Sequence, residues 1–348
     1  MLNKLIVFTV INAHFSLVHA QPSIGEILVL SDSLVQVAVE LPNGITGNGS
    51  GVVVSKEYVA TNCHVLANAK GANIIKYRDA YRPIGLKADW KHDLCLLKFD
   101  SLPFKVAKMR DSRTVKYEEV IFSLGYPIGN NVPQPSYGSV KGAYPLDDSV
   151  VIRTSAAFAM GSSGGALFDQ NFNLIGITSF KSPGSQGFFY NLPVEWIKAL
   201  FDSPDILSLN TNDVPFWALP LDQRPYFMQV VIPYQNKDWL ALKKIAKAWT
   251  VQEPKSSDAW YFLGLAEEGV NQTVSAKEDF KKAHTLNSRH LDAMLALTHI
   301  AYLQKDLPAL ETFKAKIDFL DQEQGALIAQ KIFELKAKQL KTTELKSH

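Results

Sequence analysis

Short runs of alternating or unbroken apolar residues fill the chain from Gln21 to about Leu200, with glycine, proline and asparagine between them. Val35 to Leu41, Gly51 to Val54, Tyr58 to Thr61, Asn73 to Tyr77, Leu94 to Phe99 and Val120 to Leu124 read as strands. Tyr137 to Ala143, Val150 to Thr154, Leu174 to Phe180 and Gly187 to Leu192 continue the series, and Pro193 to Phe201 reads as a closing helix. Many short strands predict an all-β sandwich or barrel. Prolines 204, 215, 220, 225 and 233 then interrupt regular structure, while Trp217, Tyr226, Phe227 and Tyr234 are too apolar for a solvated tether. Residues 204–237 therefore read as a packed linker, with a ligand groove as the alternative. Beyond Asp238 the apolar period becomes helical.

One stretch in the β half stands out chemically: Met160-Gly161-Ser162-Ser163-Gly164-Gly165-Ala166-Leu167. Glycine lacks the Cβ that would forbid a tight backbone path, so such a run can aim several N–H groups at one point. That is what a developing oxyanion needs, and with Ser163 as nucleophile the N–H groups of Gly161 and Ser163 are the expected donors. A serine hydroxyl needs a base, and the base needs an acceptor that fixes its tautomer. His64, in Thr61-Asn62-Cys63-His64-Val65, and Asp93, in Lys91-His92-Asp93-Leu94-Cys95, supply that pair in the order His…Asp…Ser. Asp79, Asp89, Asp100, Asp111, Asp147 and Asp148 also lie between base and nucleophile, but only Asp93 is followed directly by an alternating apolar run that would bury it. His92 is expected to point to the opposite face and to be solvated.

The segments T-N-C-H-V, H-D-L-C-L-L-K-F and G-S-S-G-G-A-L resemble those of trypsin-like (chymotrypsin-fold) serine proteases, specifically the bacterial HtrA/Deg-like branch. Gly49 to Val53, Leu124 to Gly129 and Arg153 to Ala157 fit it too. The resemblance implies a double six-stranded barrel over residues 21–203 with the active site between the barrels, no cofactor, and a substrate pocket near Ala157, Phe158, Thr178, Ser179 and Gly187. None of those residues is charged, which favours a small or medium apolar side chain at the cleavage point. Ser162 stands where digestive relatives carry an aspartate that pairs with a new N-terminus, so the oxyanion loop is expected to be ordered by other contacts. In the resembled fold the histidine loop lies against the aspartate strand, so Cys63 and Cys95 are either a disulfide or two small buried fillers. With no Cys/His cluster at ligand spacing, no metal site is expected.

Asp258 to Gly264, followed by Ala276, Phe280 and Ala283, falls on the tetratricopeptide (TPR) spacing W-x2-L-G…A-x3-F-x2-A, with Pro254 closing the preceding unit. Gly264 and Ala276 are small where paired helices would cross; Trp260, Leu263 and Phe280 would fill the space between them. Met294 to Phe313 is a weaker unit, Trp239 to Trp249 half of an earlier one, and Ala326 to Leu340 a capping helix. Residues 238–342 are thus predicted to form an α-helical, TPR-like solenoid that binds proteins or peptides, or else buttresses the protease. Nothing resembles the PDZ domain many HtrA-like proteases carry.

A formal net charge of +2 over 348 residues gives no argument for nucleic acid. Residues 1–20 carry a lysine, an apolar run from Leu5 to Ile11 and the ending Val18-His19-Ala20, the build of a signal peptide. A membrane anchor is the alternative, but Asn12 and His14 cut the run short of the ~20 residues a span needs. The expectation is an exported chain, periplasmic or secreted, acting on a protein or peptide substrate. The competing reading is a catalytically silent protease fold whose helical region binds proteins.

Overall fold

The computed structural model describes residues 21–182, 187–206 and 208–346, with side chains described as far as residue 339. The proposed signal peptide, residues 1–20, lies outside the described residues. The fold opens on α1 (Ile24–Ser31), begun by a capping box in which the Ser23 side chain accepts from the Glu26 N–H and Glu26 reaches back to the Ser23 N–H. The first β half follows: β1 (Leu34–Glu40), β2 (Thr46–Val53), β3 (Tyr58–Asn62), a single helical turn α2 (Cys63–Leu66), β4 (Gly71–Lys76), β5 (Asp79–Tyr81), β6 (Gly85–Asp89) and β7 (Leu94–Lys98). The second comprises β8 (Val120–Gly125), β9 (Gln134–Leu146), β10 (Ser149–Thr154), β11 (Ala166–Asp169), β12 (Leu174–Lys181) and β13 (Phe189–Pro193), closed by α3 (Val194–Phe201).

Alternation along the strands decides which side chains meet. Val35, Val37 and Val39 of β1 turn into a core with Val53, Val59, Ile74 and Leu97. Phe122, Leu124, Phe168, Ile177 and Tyr190 line the core of the second half. The second half is a closed barrel in the order β10-β13-β12-β11-β8-β9. The first half corrects the expectation of a second six-stranded barrel. It is a seven-stranded sheet, β5-β4-β1-β2-β3-β7-β6, because the short strand β5 adds to the β4 edge. At the far edge β6 bridges to the linker, where the Ile206 N–H donates to the Leu86 carbonyl at 2.7 Å.

The linker is more regular than its prolines suggest. Pro225 caps α4 (Tyr226–Gln229), and Pro233 sits in the first turn of α5 (Val231–Gln235), where a missing N–H costs no intrahelical bond. Six helices follow: α6 (Trp239–Gln252), α7 (Ser257–Gly269), α8 (Thr273–Leu286), α9 (Leu291–Leu303), α10 (Leu307–Leu320) and α11 (Gln322–Lys346). A Cβ on Gly264 would lie 2.7 Å from the Phe280 ring, so the close approach of α7 and α8 depends on glycine there. Trp260 departs from its expected place: it is only partly buried, and its indole N–H donates to the Pro254 carbonyl. Phe280, wholly buried, does fill the space between α7 and α8, with Tyr261 and Leu265 packed against it.

One hydrophobic core runs from the second barrel through the linker into the first helices. Tyr144 stacks on Phe227 with ring centroids 4.4 Å apart, and Trp249 lies against Tyr144 and Phe262. A buried polar cluster reinforces the seam. Asp258 of α7 accepts from Tyr117 and, at 3.3 Å, from Tyr144, while the Arg153 guanidinium of β10 lies 3.6 Å away.

Candidate active site

Pairing of β3 with β7 puts Asn62 opposite Leu94, so the residues just beyond the two strand ends, His64 on α2 and Asp93, meet. Asp93 adopts φ +61°, a left-handed conformation that aspartate tolerates better than most residues. Its carbonyl takes the Cys63 N–H and the Asn62 side-chain amide. Its carboxylate is 1% exposed and fully engaged. Oδ1 accepts the His64 backbone N–H at 2.8 Å. Oδ2 accepts from His64 Nδ1 at 2.7 Å, from the Ser179 hydroxyl at 2.8 Å and from the Trp217 indole N–H at 3.1 Å. Since a carboxylate is an acceptor only, the imidazole must carry its proton on Nδ1, leaving Nε2 as the basic nitrogen. Cys63 and Cys95, flanking this pair, are joined by a disulfide.

Ser163 stands in the turn between β10 and β11. Its hydroxyl donates to the Ser179 carbonyl at 3.1 Å, so among the described residues its hydrogen bond goes to Ser179 and not to His64. Ser179 thus touches both Asp93, through its hydroxyl, and Ser163, through its carbonyl, and ties the two into one cleft. It was expected as a pocket wall and does not line the cavity beside Ser162.

The loop around Ser163 is shaped by two left-handed glycines. A Cβ on Gly161 (φ +92°) would lie 2.7 Å from the Ile128 nitrogen and the Tyr126 oxygen; one on Gly164 (φ +88°) would lie 2.1 Å from the Ser50 oxygen. Internal contacts hold the loop. The Ser50 hydroxyl donates to the Gly161 carbonyl and accepts the Tyr126 N–H, both at 2.8 Å, while the Ser50 N–H donates to the Ser163 carbonyl. The Thr178 hydroxyl donates to the Ser162 carbonyl at 2.6 Å. The N–H groups of Ser162, Gly164 and Gly165 each find a carbonyl, whereas among the described residues those of Gly161 and Ser163 find none.

Beside Ser162 opens a cavity of about 140 Å³ lined by Leu124, Gly125, Ala157, Phe158 and Thr178, among others, with no charged residue. Of the residues expected to form a substrate pocket, Ala157, Phe158 and Thr178 line this cavity and Gly187 does not. It packs against the ring of Phe189, which in turn meets Phe158 edge-on, so Gly187 backs the wall and does not form it. Among the described residues no cluster of potential ligands could hold a metal ion.

His92 corrects its solvated reading. Its side chain is 12% exposed, Nδ1 lies 2.5 Å from Asp89 and Nε2 2.6 Å from Asp147, and the ring stacks on Trp196. The alternation argument fails because residues 90–93 form a turn, not a strand. Sequence reasoning also passed over Ser50, Ser179 as a bridge, and Trp217. The tryptophan alone left a trace, as an aromatic residue in a proline-rich segment too apolar to be free.

A left-handed glycine–serine loop is thus tied through Ser179 to a histidine–aspartate pair across two β halves. Residues 49–177 match the family model of the trypsin-like peptidase domain. Over 155 residues the chain is 32% identical to a probable periplasmic serine endoprotease, DegP-like, of Pseudomonas putida (strain W619), an alignment covering 42% of this chain and 32% of that protein. It is 28% identical over 274 residues to the serine protease Do-like HtrA of Bacillus subtilis (strain 168), covering 73% of this chain and 60% of the relative. The chain thus spans about a third of the length of the first relative and 60% of the second. Among solved structures it is similar to the HtrA-type protease AlgW with tripeptide, at 25% identity and a TM-score of 0.46, covering 52% of this chain and 63% of that one. The serine endoprotease from Yersinia pestis gives 22% identity and a TM-score of 0.45, covering 53% and 67%.

Proposed function

We propose that this chain is an exported serine endopeptidase that hydrolyses peptide bonds through an acyl-enzyme, with Ser163 as nucleophile, His64 as base and Asp93 as the group that orients and stabilises the imidazole. Its strongest support is the contact of His64 Nδ1 with Asp93 Oδ2 at 2.7 Å, linked to Ser163 through Ser179. His64 Nε2 takes the Ser163 proton as the hydroxyl attacks, then returns it to the leaving amine. The N–H groups of Gly161 and Ser163, without partners among the described residues, receive the oxyanion. The uncharged cavity beside Ser162 accepts a small or medium apolar side chain; at about 140 Å³ it approaches the ~150 Å³ apolar cavity known to hold benzene. Export rests on the build of residues 1–20 and on the periplasmic relatives. Residues 238–342 act as a TPR-like array whose first helices brace the barrel and whose remaining helices offer a surface for protein partners.

One observation favours the silent-scaffold reading, namely that the Ser163 hydroxyl donates to Ser179 and not to His64. Serine-directed fluorophosphonate labelling of the full chain separates the two. The endopeptidase should label and cleave apolar peptides, and Ser163→Ala should abolish labelling and lower kcat by about 10⁶. A chain that never labels, with or without peptide, is a scaffold.

A further inference from the structure

The linker carries a residue into the site that neither β half supplies. Trp217 lies beyond α3, in the segment between barrel and helices, and that segment is fixed by the Phe216 N–H donating to the Lys91 carbonyl at 2.9 Å. Its indole N–H donates to Asp93 Oδ2 at 3.1 Å, on the same oxygen that holds His64 Nδ1. Its ring stands against the His64 ring at 5.5 Å and 87°, and stacks on Phe180 at 5.3 Å. With the His64 backbone N–H, His64 Nδ1 and the Ser179 hydroxyl, Trp217 brings the donors on Asp93 to four, about the full acceptor capacity of a carboxylate. A hydrogen bond to a charged group is stronger than a neutral one, so this is a contact with consequences for the pair.

We propose that Trp217 is a positioning residue for the His64–Asp93 pair: its N–H fixes the carboxylate plane and draws off part of its charge, and its ring fixes the tilt of the imidazole. The proposal rests on the peptidase reading for its effect on turnover, but not for its effect on His64. His64 is the titratable group bonded to Asp93; the ring of neighbouring His92 is engaged by Asp89 and Asp147. The sign follows from charge. Without the indole donor, Asp93 presents more of its negative charge to the imidazole, and the imidazolium is favoured. The acid limb of the pH–rate profile then moves to higher pH.

The test is Trp217→Phe in the full chain, with benzothienylalanine at 217 as the isostere that loses the N–H without leaving a cavity. Two readouts are taken: fluorophosphonate labelling rate against pH, and NMR titration of the His64 imidazole in the Ser163→Ala background. The expected result is a His64 midpoint displaced upward in both substitutions, with labelling at neutral pH reduced about tenfold and the melting temperature close to that of the parent. An unmoved His64 midpoint, whatever happens to the rate, overturns the proposal and leaves Trp217 a packing residue. A displaced midpoint in a chain that never labels upholds the positioning role while the peptidase reading falls.

Discussion

Ser50 is the residue on which the loop around Ser163 hangs. Wholly buried, it meets Gly161, Tyr126 and Ser163 through its hydroxyl and N–H. Ser50→Ala should leave the Gly161 carbonyl and the Tyr126 N–H unpaired, costing about 1–3 kcal/mol of stability. Labelling should slow about tenfold or more while the His64–Asp93 contact persists; denaturant melts and labelling kinetics on the same preparation read both effects. An unchanged labelling rate would mean that the loop keeps its shape without this hydroxyl. Residues were legible in the sequence where their chemistry is rare. His64, Asp93 and Ser163 belong to short motifs with glycine and apolar context that few other positions share. Ser50 and Ser179 are ordinary serines whose importance lies in bonds made across 111 and 86 positions of chain, and no local pattern records such bonds.

At the scale of elements, His92 is a clasp between the β6–β7 turn and the β9–β10 hairpin, with Asp89 on one side and Asp147 on the other. Burial alone would lower its pKa, but the two carboxylates outweigh it and raise it above the usual histidine value. A raised folded-state value means stability that is complete below the unfolded pKa of ~6.5 and is lost as pH climbs through the folded one. His92→Gln should therefore lower the melting temperature most near pH 5.5, with the gap to the parent narrowing steadily toward pH 9. A gap independent of pH would reduce the clasp to packing against Trp196. Strand β1 was readable because alternation of burial is written into it, and β7 and β12 because each is a nearly unbroken run of buried residues bounded by polar ones. Strands β5, β6 and β11 were missed because short pieces flanked by glycine or charge carry little pattern; β5 is what turned the first half into a seven-stranded sheet. Helix α1 went unread in the sequence, although Ser23 and Glu26, three positions apart, form its capping box.

The whole molecule does not divide where its sequence pattern changes. Tyr144, Phe227, Trp249 and Phe262 belong to one core that spans barrel, linker and α7, and Asp258 sits beneath them against Arg153, Tyr117 and Tyr144. Burial pushes the neighbouring His290 imidazole down, so Arg153 is the cation that answers this carboxylate. Asp258→Ala should leave that buried guanidinium without its counter-charge and cost about 3–5 kcal/mol. Tryptophan fluorescence and labelling should then be lost in one shared transition on heating; two separate transitions would mean the halves fold independently. The change of period at Asp238 was legible as a change of secondary structure, but shared burial was not, since it arises only when distant aromatic residues meet. The bridge between Cys63 and Cys95 has a further consequence at this scale. Because the sulfurs flank His64 and Asp93, reduction would slacken the contact between those two side chains before it unravelled the molecule. On the proposed peptidase reading, thiol-rich surroundings would then lower turnover and an oxidising medium would restore it.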